Sequence, residues 1–226
     1  MMQSHVRRVT TGRKPRVLLS GALVSLVGYL TLALLAAQQV FFAVDHGTRT
    51  WIWLLKQQAP QLPFAVITHF GDYWGLLALT AVAMALLLWR KHHRWALALP
   101  VLMAGAGALQ WVAKRVAHRT RPDLEPWGFP SGHVLSLVVF FGLMGYLIAT
   151  ASKRRRRWRA LACLVCTLAV VLVAFSRLYL DRHWLSDVAG GFAVGVAYLL
   201  IGIWVVEVVW TQPVVKSQEE SLPPPG

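Results

Sequence analysis

Residues 128–152 read GFPSGHVLSLVVFFGLMGYLIATAS. The Pro130-Ser131-Gly132 turn leads, after His133, into a charge-free run from Val134 to Ser152, 19 residues long. Ser131 suits a helix cap, and Gly132 lets a ligand come close to the backbone. The first N–H groups of a helix have no partner within it, so they can hold an anion. The run behind them is close to the roughly 20 apolar residues that cross a bilayer. This stretch predicts a membrane helix whose N-terminus binds an anion, with His133 beside it.

Runs of this kind recur along the chain. Val17 to Val44 carries no charge over 28 residues, and Trp95 to Ala113 and Val188 to Val206 carry none over 19 each. Ala160 to Ser176 adds 17 residues. Gly75 to Trp89 adds 15, and extends back to Pro63 if His69 and Asp72 lie near the membrane surface. The composition agrees: 57% of the 226 residues are hydrophobic, with a mean hydropathy of +0.53. A soluble domain of this length is more polar. The expected fold is an all-α polytopic membrane protein, six transmembrane helices in a bundle. The first span is too long for a signal peptide, whose apolar region reaches about 15 residues. No soluble linker separates two domains. The expected division is a basic cytoplasmic tail (1–16), a six-helix membrane domain (17–210) and a disordered C-terminal tail (211–226).

The net charge of +14 raises the question of nucleic acid. Its placement answers it. Fifteen of the 23 Lys and Arg lie in Arg7 to Arg16, Arg90 to Arg94, Lys153 to Arg159, and Lys216. With six spans, all four segments share one side, the positive-inside pattern that marks the cytoplasmic face. No nucleic acid partner is expected. Both termini are placed in the cytoplasm, and the compact chain suits a bacterial plasma (inner) membrane. Cys163 and Cys166, inside the fifth span, read as packed apolar residues. His92 and His93 read as solvated.

Residues 45–63 form an outer loop holding Trp51 to Leu55. Two placements fit it equally: flat in the membrane interface, where Trp is favoured, or packed over the helix ends. Gly105 and Gly107 in the third span, and Gly190, Gly191 and Gly195 in the sixth, imply close helix packing.

Span counting puts Lys114, Arg121, Ser131, His133, Arg177, His183 and Asp187 at the same outer face. Ionisable groups beside membrane helices are functional candidates by default. These residue types fit phosphoryl transfer, whose transition state spreads charge over three oxygens. Arg121 and Arg177 can each donate paired hydrogen bonds to such oxygens, and Lys114 adds a point charge. Ser131 and the Gly132 N–H complete the cradle. His183 and Asp187, four residues apart, share a helix face if the sixth span begins early enough. A carboxylate on one imidazole nitrogen leaves the other free as a nucleophile. His133 suits a general acid. Arg115, Arg119 and Arg182 read as cations snorkelling to headgroups, with His118 similar. Asp123, Glu125 and Asp181 read as loop partners of nearby cations.

The pattern Lys114-x6-Arg121-Pro122, then Pro130-Ser131-Gly132-His133, then Ser176-Arg177-x5-His183-x3-Asp187 resembles the three-part signature of the type 2 phosphatidic acid phosphatase superfamily. The resemblance implies a phosphohistidine on His183 oriented by Asp187, and protonation of the leaving group by His133. It implies phosphate held by Lys114, Arg121, Ser131, Gly132 and Arg177. Ser176 belongs to the motif, although helix capping explains it as well. The chemistry it implies uses no metal and no cofactor. Its membrane members act on phosphatidic acid, phosphatidylglycerol phosphate, undecaprenyl diphosphate or lipid A, so a lipid phosphate and the bilayer are the expected partners. Some members pass the phosphoryl group to another lipid instead of to water.

Three other readings stand beside this one. A vanadate-dependent haloperoxidase shares the anion cradle but is soluble. A lipid binder or transporter would hold phosphate without cleaving it. A zinc site would draw on His118, His133 and His183.

Overall fold

The computed structural model describes residues 13–150 and 155–209. The tail 211–226, the first twelve residues of the basic tail, and Lys153 and Arg154 of the poly-Arg run lie outside the described residues. Helices follow the charge-free runs: α1 (Arg13–Ala37), α2 (Ala43–Lys56), α3 (Leu62–Thr68), a 3-10 turn (His69–Gly71), α4 (Tyr73–Trp89), α5 (His93–Ala117), α6 (Gly132–Thr150), α7 (Arg156–Tyr179) and α8 (Leu185–Val209). There is no strand among the described residues. Five helices, α1, α5, α6, α7 and α8, are long and apolar enough to cross a membrane. The α3 and α4 pair, bent by 56° at its break, is long and apolar enough for a sixth span when the two are taken together.

Two features differ from the sequence expectation. The first span ends at Ala37, well before Val44. Gln39 takes a left-handed backbone there, φ 56°. Its side-chain amide donates to the His118 carbonyl at 3.1 Å and accepts from the Thr120 N–H at 3.1 Å. A polar side chain bonded to a neighbouring loop stops the helix more effectively than the apolar residues beyond it extend it. The expected outer loop 45–63 is largely helix α2, followed by the start of α3. Ile52 is buried, while Trp51, Trp53 and Leu54 are exposed. One face of α2 packs on α7 and α8, and the other bears aromatic residues suited to an interface.

The main core joins α4, α5, α6 and α8 through Leu99, Leu135, Val139, Leu143, Val194 and Ile203, among others. Large apolar residues on the outside of α1, α4 and α7, such as Leu23, Val82 and Leu164, face outward, as lipid contact requires. Glycines set the approach of α8: a Cβ on Gly190, Gly191 or Gly195 would meet the Phe129 ring, the Ser131 backbone or Val138. Gly105 admits the Tyr198 hydroxyl, whereas Gly107 has nothing against it and lines a cavity. At the end away from that cavity's charged residues, Arg94 pairs with Glu207 at 3.4 Å, and Glu207 accepts from the Tyr146 hydroxyl.

Candidate active site

Helix direction brings the motif segments together. Lys114 lies in the last turn of α5, Arg177 in the last turn of α7, and Asp187 in the first turn of α8. His133 is the second residue of α6. Antiparallel neighbours place these ends at one end of the bundle. There they meet around a cavity of about 600 Å³ lined by Lys114, Arg121, Gly132, His133, Arg177 and His183. Ser131 and Asp187 are fully buried behind that lining. The cavity continues between α4 and α5 along Leu76, Leu77, Met103 and Ala104.

His183 sits in the short link between α7 and α8 and is buried. Its Nδ1 stands 2.7 Å from the Gly128 carbonyl oxygen. A carbonyl only accepts, so Nδ1 carries the hydrogen and Nε2 keeps its lone pair. Burial and the positive charges of Lys114, Arg177 and Arg121 hold this imidazole well below its ordinary pKa. A neutral ring with a free Nε2, set among cations, has the form of a nucleophile.

The backbone oxygen of Gly128, in the loop before α6, therefore occupies the place where the sequence suggested the Asp187 carboxylate. Asp187 Oδ2 is 3.6 Å from Nδ1, beyond a hydrogen bond. That oxygen accepts from the Trp184 N–H at 2.9 Å, which caps α8. The other, Oδ1, accepts from Arg119 at 2.9 Å.

Arg119 does not snorkel. It is 1% exposed, and its guanidinium donates to the Ser186 hydroxyl (2.7 Å), Asp187, the Val40 carbonyl (2.8 Å) and Asp45 (3.2 Å). Asp45, in the first turn of α2, is buried and accepts in addition from the Ser186 N–H and hydroxyl and from the Phe42 N–H. A buried cation is tolerable when it is paired, and two carboxylates pair Arg119, although its Nε has no partner. The sequence signal for Asp45 was a lone acid at the outer end of a long apolar run.

Arg121 and Arg177 each keep a buried Nε with no partner. An unpartnered donor in such a place is costly unless a ligand fills it. Arg177 is steadied from the side, where its guanidinium donates to the Thr68 hydroxyl at 2.7 Å. Lys114 Nζ donates to the Trp127 carbonyl at 2.7 Å. The Ser131 N–H donates to the Asp187 carbonyl, and its buried hydroxyl has no partner, so it does not cap α6 as the sequence suggested. The Ser176 hydroxyl donates to the Val173 carbonyl within its own helix. Gly132 lies against Gln110, and a Cβ there would strike that side chain.

His133 has a partner that no motif contains. Its Nε2 is 2.7 Å from Asp72 Oδ1, and the other Asp72 oxygen is 2.7 Å from His69 Nδ1. Asp72 sits at the bend between α3 and α4. The sequence placed it near the membrane surface but gave it no role.

The loop acids Asp123 and Asp181 pair with cations as expected, and the cation on Asp123 is Arg182, which the sequence reading sent to the headgroups. Arg182 meets Asp123 at 3.1 Å, and Asp181 pairs with Arg49 and Lys56. Arg115 stacks on Trp111. His118 closes α5 in a left-handed conformation, φ 44°. Among the described residues no three His, Cys, Asp or Glu are grouped to hold a metal ion.

Comparison with known proteins bears on the whole assembly. Phosphatidylglycerophosphatase B of Bacillus subtilis is 31% identical over 137 residues, which span 57% of this chain and 66% of the relative. Lipid phosphate phosphatase delta of Arabidopsis thaliana is 31% identical over 142 residues, 54% of this chain and 33% of that protein. The chain thus spans less than two thirds of each. The crystal structure of a transmembrane PAP2 type phosphatidylglycerolphosphate phosphatase from Bacillus subtilis has the same fold, with a TM-score of 0.71 at 23% identity over 83% of this chain and 96% of that one. The family model described as PAP2 superfamily matches residues 95–211, which hold every segment of the three-part motif around the cavity, and this multi-pass membrane chain belongs to that superfamily.

Proposed function

We propose that the protein is an integral membrane lipid phosphatase, releasing phosphate from a lipid phosphate or diphosphate through a phosphohistidine on His183. The observation that carries this reading is the His183 ring: Nδ1–H is locked on the Gly128 carbonyl, Nε2 is free, and Lys114, Arg121 and Arg177 share its cavity. The unpartnered Nε atoms of the two arginines suit the equatorial oxygens of a phosphoryl group. In the first step Nε2 attacks phosphorus, the bond to the leaving oxygen breaks, and His133 gives that oxygen a proton. In the second step His133 takes a proton from water as the water oxygen attacks phosphorus, and inorganic phosphate leaves with His183 restored. Asp187, held by Arg119 and capping α8, keeps His183 in place. No metal is needed for either step.

The apolar arm of the cavity between α4 and α5 supports a lipid tail as part of the substrate. The names of the relatives point the same way. The basic residues Arg90, Lys91, Arg94 and Arg155 to Arg159 lie at the opposite end of the bundle, which favours a cytoplasmic position for that end. The cavity then opens at the outer face of a bacterial plasma membrane, with both termini inside.

The test is phosphate release by purified protein in detergent from phosphatidic acid, phosphatidylglycerol phosphate, undecaprenyl diphosphate and lipid A. At least one is expected to turn over. His183→Ala is expected to lose at least about 10⁴-fold while keeping its thermal transition. Full turnover by His183→Ala, or no release from any lipid, would refute the proposal.

A further inference from the structure

We infer that Asp72 is the positioning residue of the leaving-group acid, holding Nε2–H of His133 so that Nδ1 faces the reaction; this rests on the phosphatase reading above. Asp72 lies outside residues 95–211, the stretch matched by the family model, and outside all three motif segments.

The geometry that carries the inference starts at the bend. A continuous helix through residues 62–89 would carry no carboxylate to the end of α6. Instead α3 ends at Thr68, a single 3-10 turn follows, and Asp72 stands in extended conformation (ψ 164°) as the N-cap of α4. Its side chain makes no cap hydrogen bond. Both oxygens are turned elsewhere, one to His133 Nε2 and one to His69 Nδ1, each at 2.7 Å. Gly71 makes this approach possible, since a Cβ there would run into the His133 ring. The same turn braces the cradle through Thr68 and Arg177.

The chemistry explains why the acid needs such a partner. A general acid acts from the imidazolium, with both ring nitrogens protonated. A carboxylate on the far nitrogen stabilises that ion and fixes the ring's orientation. The charged and titratable groups around His133 are Arg177 from α7, His183 from the link before α8, and Asp72, with His69 behind Asp72. Asp72 is the only anion among them. When Nδ1 gives its proton to the leaving oxygen, the P–O bond breaks, and His133 becomes neutral with Nε2–H still on Asp72. Nδ1 then accepts the proton of the attacking water.

The test compares leaving groups. An alkyl oxygen needs a proton as it departs, whereas p-nitrophenolate does not. Asp72→Asn is expected to lower kcat on a lipid phosphate about 30-fold, part of the roughly 10²–10⁴ that a general acid supplies. KM should change less than about twofold, and the pre-steady-state burst of p-nitrophenolate from p-nitrophenyl phosphate, which reports the first step before water attacks, less than about threefold. Asp72→Glu, which keeps the charge, should recover part of the lipid rate. Equal losses on both substrates, or no loss on either, would overturn the assignment. If Asp72→Asn does not accumulate as folded protein, Asp72→Glu carries the same comparison, because its longer side chain displaces the ring and must cost the lipid substrate more. Wild type and His183→Ala are run alongside. A silent wild type or an active His183→Ala sinks the phosphatase reading itself, whereas a normal pair with uniform Asp72 losses sinks only the present inference.

Discussion

The two halves of the chain do different work at the same site. Residues 93–209 supply every motif side chain, on α5 to α8 and their links. Residues 13–92 supply none, yet each motif segment leans on a partner from this half. Gln39 bonds the backbone around His118 and Thr120, and Asp45 holds Arg119 and Ser186. Thr68 holds Arg177, and Asp72 holds His133. The contrast teaches that a reactive set of charges is only half of a site. Cations and histidines at the edge of a membrane need neutral or acidic neighbours to keep them in one geometry, and α2, α3 and the links beside them provide these.

If that division is right, the two halves should fail differently. Arg177→Lys keeps the charge but loses the planar fork, and kcat/KM should fall about 10²- to 10³-fold with little change in thermal stability. A collapse of stability with activity preserved would reverse the assignment of this residue. Asp45→Asn should act the other way. It leaves buried Arg119 with one carboxylate, and breaking a buried ion pair costs about 3–5 kcal/mol. A large drop in the detergent unfolding temperature is expected, with turnover per folded molecule reduced less than tenfold, by analogy with supports remote from the chemistry. If Asp45→Asn remains stable and loses all turnover, the N-terminal half takes part in the chemistry directly. Thr68→Val should have the smallest effect. It removes one acceptor from Arg177, costing about 1–3 kcal/mol of stability and only a few-fold in kcat. A loss as large as that of Arg177→Lys would show that the brace and the fork act as one unit.

Several elements are legible in the amino-acid order. The spans at α5 to α8 follow from runs of uncharged residues, because backbone groups in lipid must be satisfied within a helix. Lys114, Arg121, His133, Arg177 and His183 were found by spacing and by their place at span ends, and the structure gathers them around one cavity. Arg119 departs from the snorkelling reading although its sequence surroundings match those of Arg115, which does stack at the surface on Trp111. What separates the two is whether a carboxylate stands opposite, and Asp45 is 74 residues away along the chain.

Alternating apolar runs and helix-end charges are local properties, so the amino-acid order alone determined the six-span all-α plan and the residues available at one end of it. The folded arrangement alone decided that α1 stops at Ala37, just before Gln39, that the chain bends at Asp72, and that a backbone oxygen at Gly128 sets the His183 tautomer. Each of these depends on a hydrogen bond between segments distant in the chain. Such a bond forms only after packing has chosen the neighbours, and no spacing rule within one segment encodes it.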